Sequence, residues 1–421
     1  MSKGIDRLSI RRFRGATTST ELQFDQSKLV AMIFGENGSG KTTIIDAIDL
    51  VCNQTAGSLD GRSSTSAKDH LPAIGSVSAD IEVELSCGGK IWTGTHSGRK
   101  AVVKGSNSPP QVHILRRSRL LRMDENQRAS LLQSGYFEGH SGVPPQAYFS
   151  EAHLDTFGFC LFLSLARPQS GGDAVIILDD VFSSVDQAHL ARIIDRLADE
   201  SKFFNQIIIT THYRQWRDRY RYLKGPGGSV DLIELHGWSN QGGIRHHRTQ
   251  LAAEELATLL QADPFSRQAA ALQAGILLEA ALDHLTLLYR CRVPRTVDGG
   301  YTIGELCDAA SKLARAIEIV RPTRGGDGVE KTPPETEKMS LKTLLEALAS
   351  TAFIRNSVGC HFNASGADIA DDDVRRFVQQ TLDLVSVLVC AGCGELAQRP
   401  KGTHYECRCG KLQMAPLQFQ S

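Results

Sequence analysis

"LVAMIFGENGSGKTTIIDAIDLV" (29–51) passes from a continuous apolar run through a glycine-rich loop into a second apolar segment with helical character. Gly35-x-x-x-x-Gly40-Lys41-Thr42 matches the P-loop pattern in the context that gives it meaning, a strand before and a helix after. Glycines let backbone N–H groups wrap phosphates. Lys41 neutralises charge at the β and γ positions, and the Thr42 hydroxyl is a ligand for Mg²⁺. The helix N-terminus adds the positive end of its dipole. Gly35, Asn37, Gly38, Ser39, Gly40, Lys41, Thr42 and Thr43 are therefore candidate binding residues for ATP with Mg²⁺.

Two further strands extend the pattern. "AVIILDD" (174–180) ends in paired carboxylates. Asp179 is placed to hold Mg²⁺, and Asp180 to polarise the water that attacks the γ-phosphate. "QIIIT" (206–210) leads to His212, a candidate γ-phosphate contact at a strand tip. An Asp-Asp pair or a lone His after a strand is commonly a cap or a surface residue. The ordered set of three points to an α/β P-loop ATPase.

The set resembles the ABC-type ATPase heads of the SMC/RecF class, over roughly residues 5–250. "LSIRRFRG" (8–15) is similar to their opening strand, in which an Arg before Gly, here Arg14, approaches the nucleotide. "ILDDVFSSVD" (177–186) resembles their Walker B and D-loop, with Ser183 and Asp186 in the D-loop places. "YFSEAHLDTFGFCLFLSLA" (148–166) stands where their signature helix stands, with Ser150 and Glu151 as its nucleotide contacts. The resemblance implies a homodimer of ATP-sandwiched heads, the signature of one reaching the γ-phosphate of the other. Ala152 replaces the usual glycine of the signature that makes the trans contact; Asp180 replaces the usual glutamate, and this shorter acid implies slow turnover, a switch more than a motor. About a hundred residues separate Lys41 from Ser150, without sustained heptads, and "ADIEVELSCGGKIWTGTHS" (79–97) reads as a β-hairpin. This is a head without a coiled-coil arm.

Beyond residue 250 the strand signals vanish. Helices are expected over 267–290, 302–320, 341–356 and 371–389, with a Gly/Pro/charge-rich loop at 321–340. Such a bundle resembles the HEPN domains, over about 265–390. Their mark is Arg, a polar residue, and His after a short spacer, here Arg355, Asn356 and His361 in "FIRNSVGCHFN" (353–363). That resemblance implies metal-independent RNA cleavage, with His361 moving protons, Arg355 binding phosphate and Asn356 orienting it. Glu279 on the first helix is placed to face them. The same residues equally serve as structural helix-end groups, and HEPN domains also act as dimerising modules.

"CAGCGELAQRPKGTHYECRCGK" (390–411) gives C-x₂-C-x₁₃-C-x-C, which reads as a zinc ribbon with Cys390, Cys393, Cys407 and Cys409 around Zn²⁺. The remaining six cysteines are scattered. Of the 421 residues, 47 are Lys or Arg and 47 Asp or Glu, so no global field attracts nucleic acid. Local basic stretches stand at 115–122 and 213–224, either nucleic-acid contacts or solvated faces. No apolar run suggests a bilayer span and no signal peptide is evident, so a cytoplasmic location is expected.

The resulting fold class is an α/β P-loop ABC-type head (1–250), an all-α HEPN-like bundle (251–389) and a small zinc ribbon (390–421). Its pairing resembles anticodon nucleases of the PrrC/RloC kind. That implies an ATPase gating an endoribonuclease against phage, with RNA such as tRNA as substrate and DNA or a phage protein as trigger. The alternative is a regulatory or DNA-repair ATPase whose helical part only dimerises or recruits a separate effector protein.

Overall fold

In this computed structural model the described residues are 4–59, 70–97, 100–105, 107–116, 136–137, 140–141, 150–181, 193, 196–197, 200–214, 217, 221–222, 230–248, 251–293, 301–322, 336–360 and 368–417. The chain divides into two compact units, Met1–Arg217 with Ser229–Thr249, and Asp218–Gly228 with Gln250–Ser421.

The first unit holds β1 (Ile5–Arg11), β2 (Thr20–Gln23), β3 (Val30–Phe34), α1 (Lys41–Cys52), β4 (Glu82–Cys87), β5 (Lys90–Ser97), β6 (Lys100–Gly105) and β7 (Val112–Arg116). A two-residue hairpin pair follows, β8 (Tyr136–Phe137) and β9 (His140–Ser141). Then come α2 (Glu151–Ser170), β10 (Val175–Asp179), β11 (Gln206–Thr211), β12 (Val230–Leu235) and β13 (His246–Arg248). β7, β10, β11, β3 and β12 run parallel, in that order, with β13 antiparallel at one edge. Every residue of β3, β10 and β11 is buried, which is why these strands read as unbroken apolar runs. The second sheet, β2-β1-β4-β5-β6, is antiparallel and contains the expected hairpin as β4–β5. Helix α1 touches strands of both sheets, so ten of its residues are buried rather than a single stripe.

The second unit departs from an all-α bundle. Its helices are α3 (Ala252–Gln261), α4 (Arg267–Leu288), α5 (Ile303–Ala316), α6 (Leu341–Thr351) and α7 (Asp371–Leu388). They share the unit with an antiparallel sheet of order β15-β14-β18-β17-β16, from β14 (Glu318–Pro322), β15 (Thr336–Ser340), β16 (Arg399–Lys401), β17 (His404–Glu406) and β18 (Gln413–Ala415). The helix expected over 302–320 stops at Ala316, and Ile317 is already extended. β-Branched Ile319 and Val320 then pair with Met339 and Lys338 on one side and Met414 and Gln413 on the other. Part of the expected 321–340 loop is therefore strand β15. Residues from Cys390 to Met414 contribute to the same hydrophobic core as the helices.

Helix α4 is the centre of that core and contacts α3, α5 and α7. By length and composition it is apolar enough to cross a membrane, contrary to the sequence reading, yet Ala270, Ala274, Leu278, Leu282 and Leu285 are buried inside the unit. After α6 the chain forms one π-helical segment, Arg355–Cys360, laid along α4. Small residues permit that approach. A Cβ on Gly275 would fall 2.2 Å from Arg355 Cγ, and one on Gly359 would fall 2.9 Å from the Leu272 nitrogen.

Candidate functional site: a P-loop cavity

The loop between β3 and α1 lines a cavity of about 240 Å³ with Asn37, Gly38, Gly40, Lys41, Thr42 and Thr43. Asp179 and Asp180, at the end of β10, line the same cavity, as do Gly15 and Trp238. Gly40 adopts φ +109°, and a Cβ there would lie 2.7 Å from Ile244 Cγ1, so only glycine closes this turn. Lys41 Nζ donates to the loop carbonyls of Gly35 (2.6 Å) and Glu36 (3.0 Å). Burial pulls its pKa below the ordinary lysine value, against the pull of Asp180 and Asp179. Ser39 Oγ is buried without a hydrogen-bond partner among the described residues. A cavity lined by a loop that parks its ammonium on its own carbonyls fits an oxyanion ligand.

Asp179 is tied at both oxygens. Thr210 Oγ1 donates to Oδ1 (2.7 Å) and Arg116 Nη1 to Oδ2 (3.0 Å). Burial raises its pKa above the ordinary aspartate value despite these bonds. Asp180 sits at φ +54°. Its backbone N–H donates to Thr210 Oγ1 (3.1 Å), and its carboxylate lies 2.8 Å from His212 Nδ1. The carboxylate proposed to orient water is thus itself oriented by the histidine, with both side chains partly open to solvent.

Other expected residues fall elsewhere. Gly35, Ser39, Arg14 and His212 stand outside the cavity lining. Arg14 turns its guanidinium to Asp46 on α1 rather than into the cavity. Ser150 caps α2, accepting from the His153 backbone N–H (3.4 Å), and is exposed. The Glu151 side chain, Ser183, Asp186 and His361 lie outside the described residues.

Arg116, expected as one charge of the basic stretch at 115–122, is instead buried. It sits in register with Asp179, is 4 % exposed, and also donates to Asp46 (2.8 Å) and Asp49 (3.1 Å). Desolvation opposes its charge, but the three carboxylates outweigh it and raise its pKa. The missed signal was position: an arginine ending an apolar strand, with two aspartates one turn apart on buried α1. The second basic stretch is also compensated where described, with Arg214 on Glu36 (2.7 Å), Arg217 near Glu234 (3.8 Å) and Arg221 on Glu255 (3.2 Å).

In the second unit Arg355 Nη2 meets Glu279 Oε1 at 2.8 Å, and Nη1 donates to Asn356 Oδ1 at 3.2 Å. Burial raises the Glu279 pKa, and Arg355 opposes the shift. The thiols of Cys390, Cys393, Cys407 and Cys409 lie within 4.8 Å of one another. Cys409 Sγ is 3.5 Å from both Cys390 and Cys407 Sγ, and the Leu412 N–H donates to Cys407 Sγ (3.2 Å). Zinc–thiolate bonds of ~2.3 Å in a tetrahedron put sulfurs ~3.8 Å apart. The donor set and its spacing fit that ion, with no thiol left over.

Part of the first unit's sequence resembles known proteins. Residues 7–134 match the family described as AAA domain. Over 76 residues the chain is 40% identical to the DNA replication and repair protein RecF of Clavibacter michiganensis subsp. michiganensis (strain NCPPB 382). That alignment spans 17% of this chain, and the chain covers 17% of the length of that relative. The SMC head domain from Thermotoga maritima aligns at 19% identity and TM-score 0.37, covering 58% of this chain and 99% of its own. A RecF–ATP structure from the RecFOR pathway aligns at 14% identity and TM-score 0.38, covering 59% and 100%. Within the N-terminal unit, residues 7–134 are thus similar to the AAA domain family, and a 76-residue stretch of the chain is similar to RecF.

Proposed function

We propose that the chain is a nucleotide-operated switch of the SMC/RecF-like kind, an ATPase whose second unit recruits or pairs with a partner. The observation that carries this reading is the single cavity that gathers the P-loop with Asp179 and Asp180. Lys41 and the P-loop N–H groups would hold the phosphates, and Thr42 and Asp179 would hold Mg²⁺, which supplies charge neutralisation there. Asp180, steadied by His212, accepts a hydrogen bond from the attacking water. Its short arm and its histidine partner favour slow turnover. Exposed Ser150 at the N-terminus of a 20-residue helix, outside its own cavity, supports head pairing in which it meets a second copy's nucleotide. Nucleotide binding and phosphate release test the proposal. Lys41→Ala is expected to lose both. Asp180→Asn is expected to keep binding, lose at least ~10²-fold in release, and sediment as an ATP-dependent dimer. Wild-type protein that binds no nucleotide refutes it.

A second reading, metal-independent RNA cleavage by the second unit, is favoured by the Arg355–Glu279–Asn356 cluster at the π-helical segment. His361 would complete it. End-labelled tRNA incubated with and without ATP–Mg²⁺, and separately in EDTA, decides this. Cleavage lost in Arg355→Ala and His361→Ala supports the nuclease; intact RNA throughout supports the recruiting ATPase.

A further inference from the structure

Once the P-loop and the two aspartates are assigned to phosphate and Mg²⁺, two cavity-lining residues have no role, Gly15 and Trp238. Neither carries charge, and Trp238 is the only aromatic side chain among the lining residues. Its indole is partly buried, packed on the hydrophobic core of the head while also bordering the cavity. Resting on the nucleotide reading above, we propose that Trp238 is the stacking platform for the base of the bound nucleoside triphosphate.

The ring is fixed before any ligand arrives. Nε1 donates to the Gly15 carbonyl at 2.6 Å, so its one polar atom is satisfied and its orientation set. Gly15 in turn donates its N–H to Thr43 Oγ1 (3.3 Å), in the first turn of α1, which ties the indole to the phosphate-binding segment. A side chain at Gly15 would crowd both neighbours, with its Cβ 3.1 Å from Thr43 Oγ1 and 3.4 Å from Trp238 Nε1. The loop that carries the tryptophan is pinned as well. Thr17 Oγ1 donates to the Asn240 carbonyl (2.8 Å), and Gly243 N–H closes onto the Ser239 carbonyl (2.8 Å). Ile244, just beyond, abuts Gly40 of the P-loop. An aromatic face held rigid beside a phosphate loop loses little entropy on stacking a base. Stacking is also tolerant of base identity, since every base offers a π-face.

Paired ligands test this by calorimetry on the full chain. ATP carries a base, and inorganic tripolyphosphate does not. In Trp238→Ala, ATP affinity is expected to fall ~10-fold or more, the scale of one aromatic–base stack, with tripolyphosphate affinity unchanged. Trp238→Phe is expected to restore most of the ATP affinity. Equal losses for both ligands would show that the indole only braces the P-loop, and unchanged ATP affinity would show no contact; either overturns the platform. Lys41→Ala supplies the separate control, because it should weaken both ligands. Wild-type protein that binds neither ligand defeats the nucleotide reading itself, a result distinct from both overturning outcomes.

Discussion

Arg116 in the head is 4 % exposed and bonds three aspartates; Arg355 in the second unit is 23 % exposed and meets one glutamate and one asparagine. The contrast follows from solvation. A guanidinium without water needs carboxylates around it to stay charged, whereas one that touches solvent tolerates a single partner. The head thus builds its site from protein charges locked against one another. In the second unit, four thiols lie within 4.8 Å of one another, a set that fits an ion rather than a counter-residue. The two units are therefore expected to fail under different insults.

Metal removal gives the largest separation. Structural zinc contributes ~10–16 kcal/mol of apparent binding energy in small zinc-finger peptides. Here Cys390, Cys393 and Cys407 are buried in the core of the second unit. A strong chelator is expected to abolish or greatly lower the calorimetric transition of the second unit while leaving an ATP-stabilised head transition in place. Metal analysis should return about one zinc per chain. A chelated protein with unchanged melting would leave the thiols as ordinary core residues and break the contrast.

Arg116→Met is next. It removes the guanidinium shared by Asp46, Asp49 and Asp179, leaving Asp46 its Arg14 partner and Asp49 and Asp179 only neutral donors, and breaking a buried pair in this way costs about 3–5 kcal/mol. Arg355→Met, at the more exposed pair, is expected to cost about 1 kcal/mol or less. Denaturant titrations of both variants measure the ratio directly. Adding Asp49→Asn to Arg116→Met removes one stranded charge and should recover part of the loss. Equal costs for the two arginines would mean that burial does not set the difference.

That network also marks where the sequence was legible. The P-loop, the Asp179–Asp180 pair and His212 announce themselves because each sits at the tip of an apolar strand, and strand-plus-tip is a local signal. Arg116 obeys the same rule but lies in a run of arginines, where composition pointed to the surface. Its partners on α1 are contacts distant in sequence. The sheet of the second unit was hidden for a similar reason. Glu318–Pro322 looks like the tail of an amphipathic helix until β18, nearly a hundred residues later, supplies its pairing edge. Trp238 offers no motif at all; only the cavity shows what it borders.

The smallest expected effect concerns two carboxylates one turn apart on α4. Burial raises the pKa of Asp283, and of Glu279 against the pull of Arg355. Thr286 Oγ1 donates to the Asp283 backbone carbonyl (2.9 Å), not to its carboxylate, and desolvation is what shifts that carboxylate. A carboxylate whose folded pKa is raised binds its proton more tightly when folded. Its favourable contribution is complete below the unfolded pKa and is lost as pH rises through the folded one. The second unit should therefore be more stable at mildly acidic than at neutral pH, insofar as these two groups set the slope. Asp283→Asn keeps the shape and removes the charge. It should stabilise the unit at neutral pH by less than about 1 kcal/mol, flatten that slope, and leave the pH dependence of the head transition untouched. Calorimetric scans across that pH range read all three. A slope unchanged by Asp283→Asn would mean that this side chain is already adequately solvated, and that the sharper burial of charge belongs to the head alone.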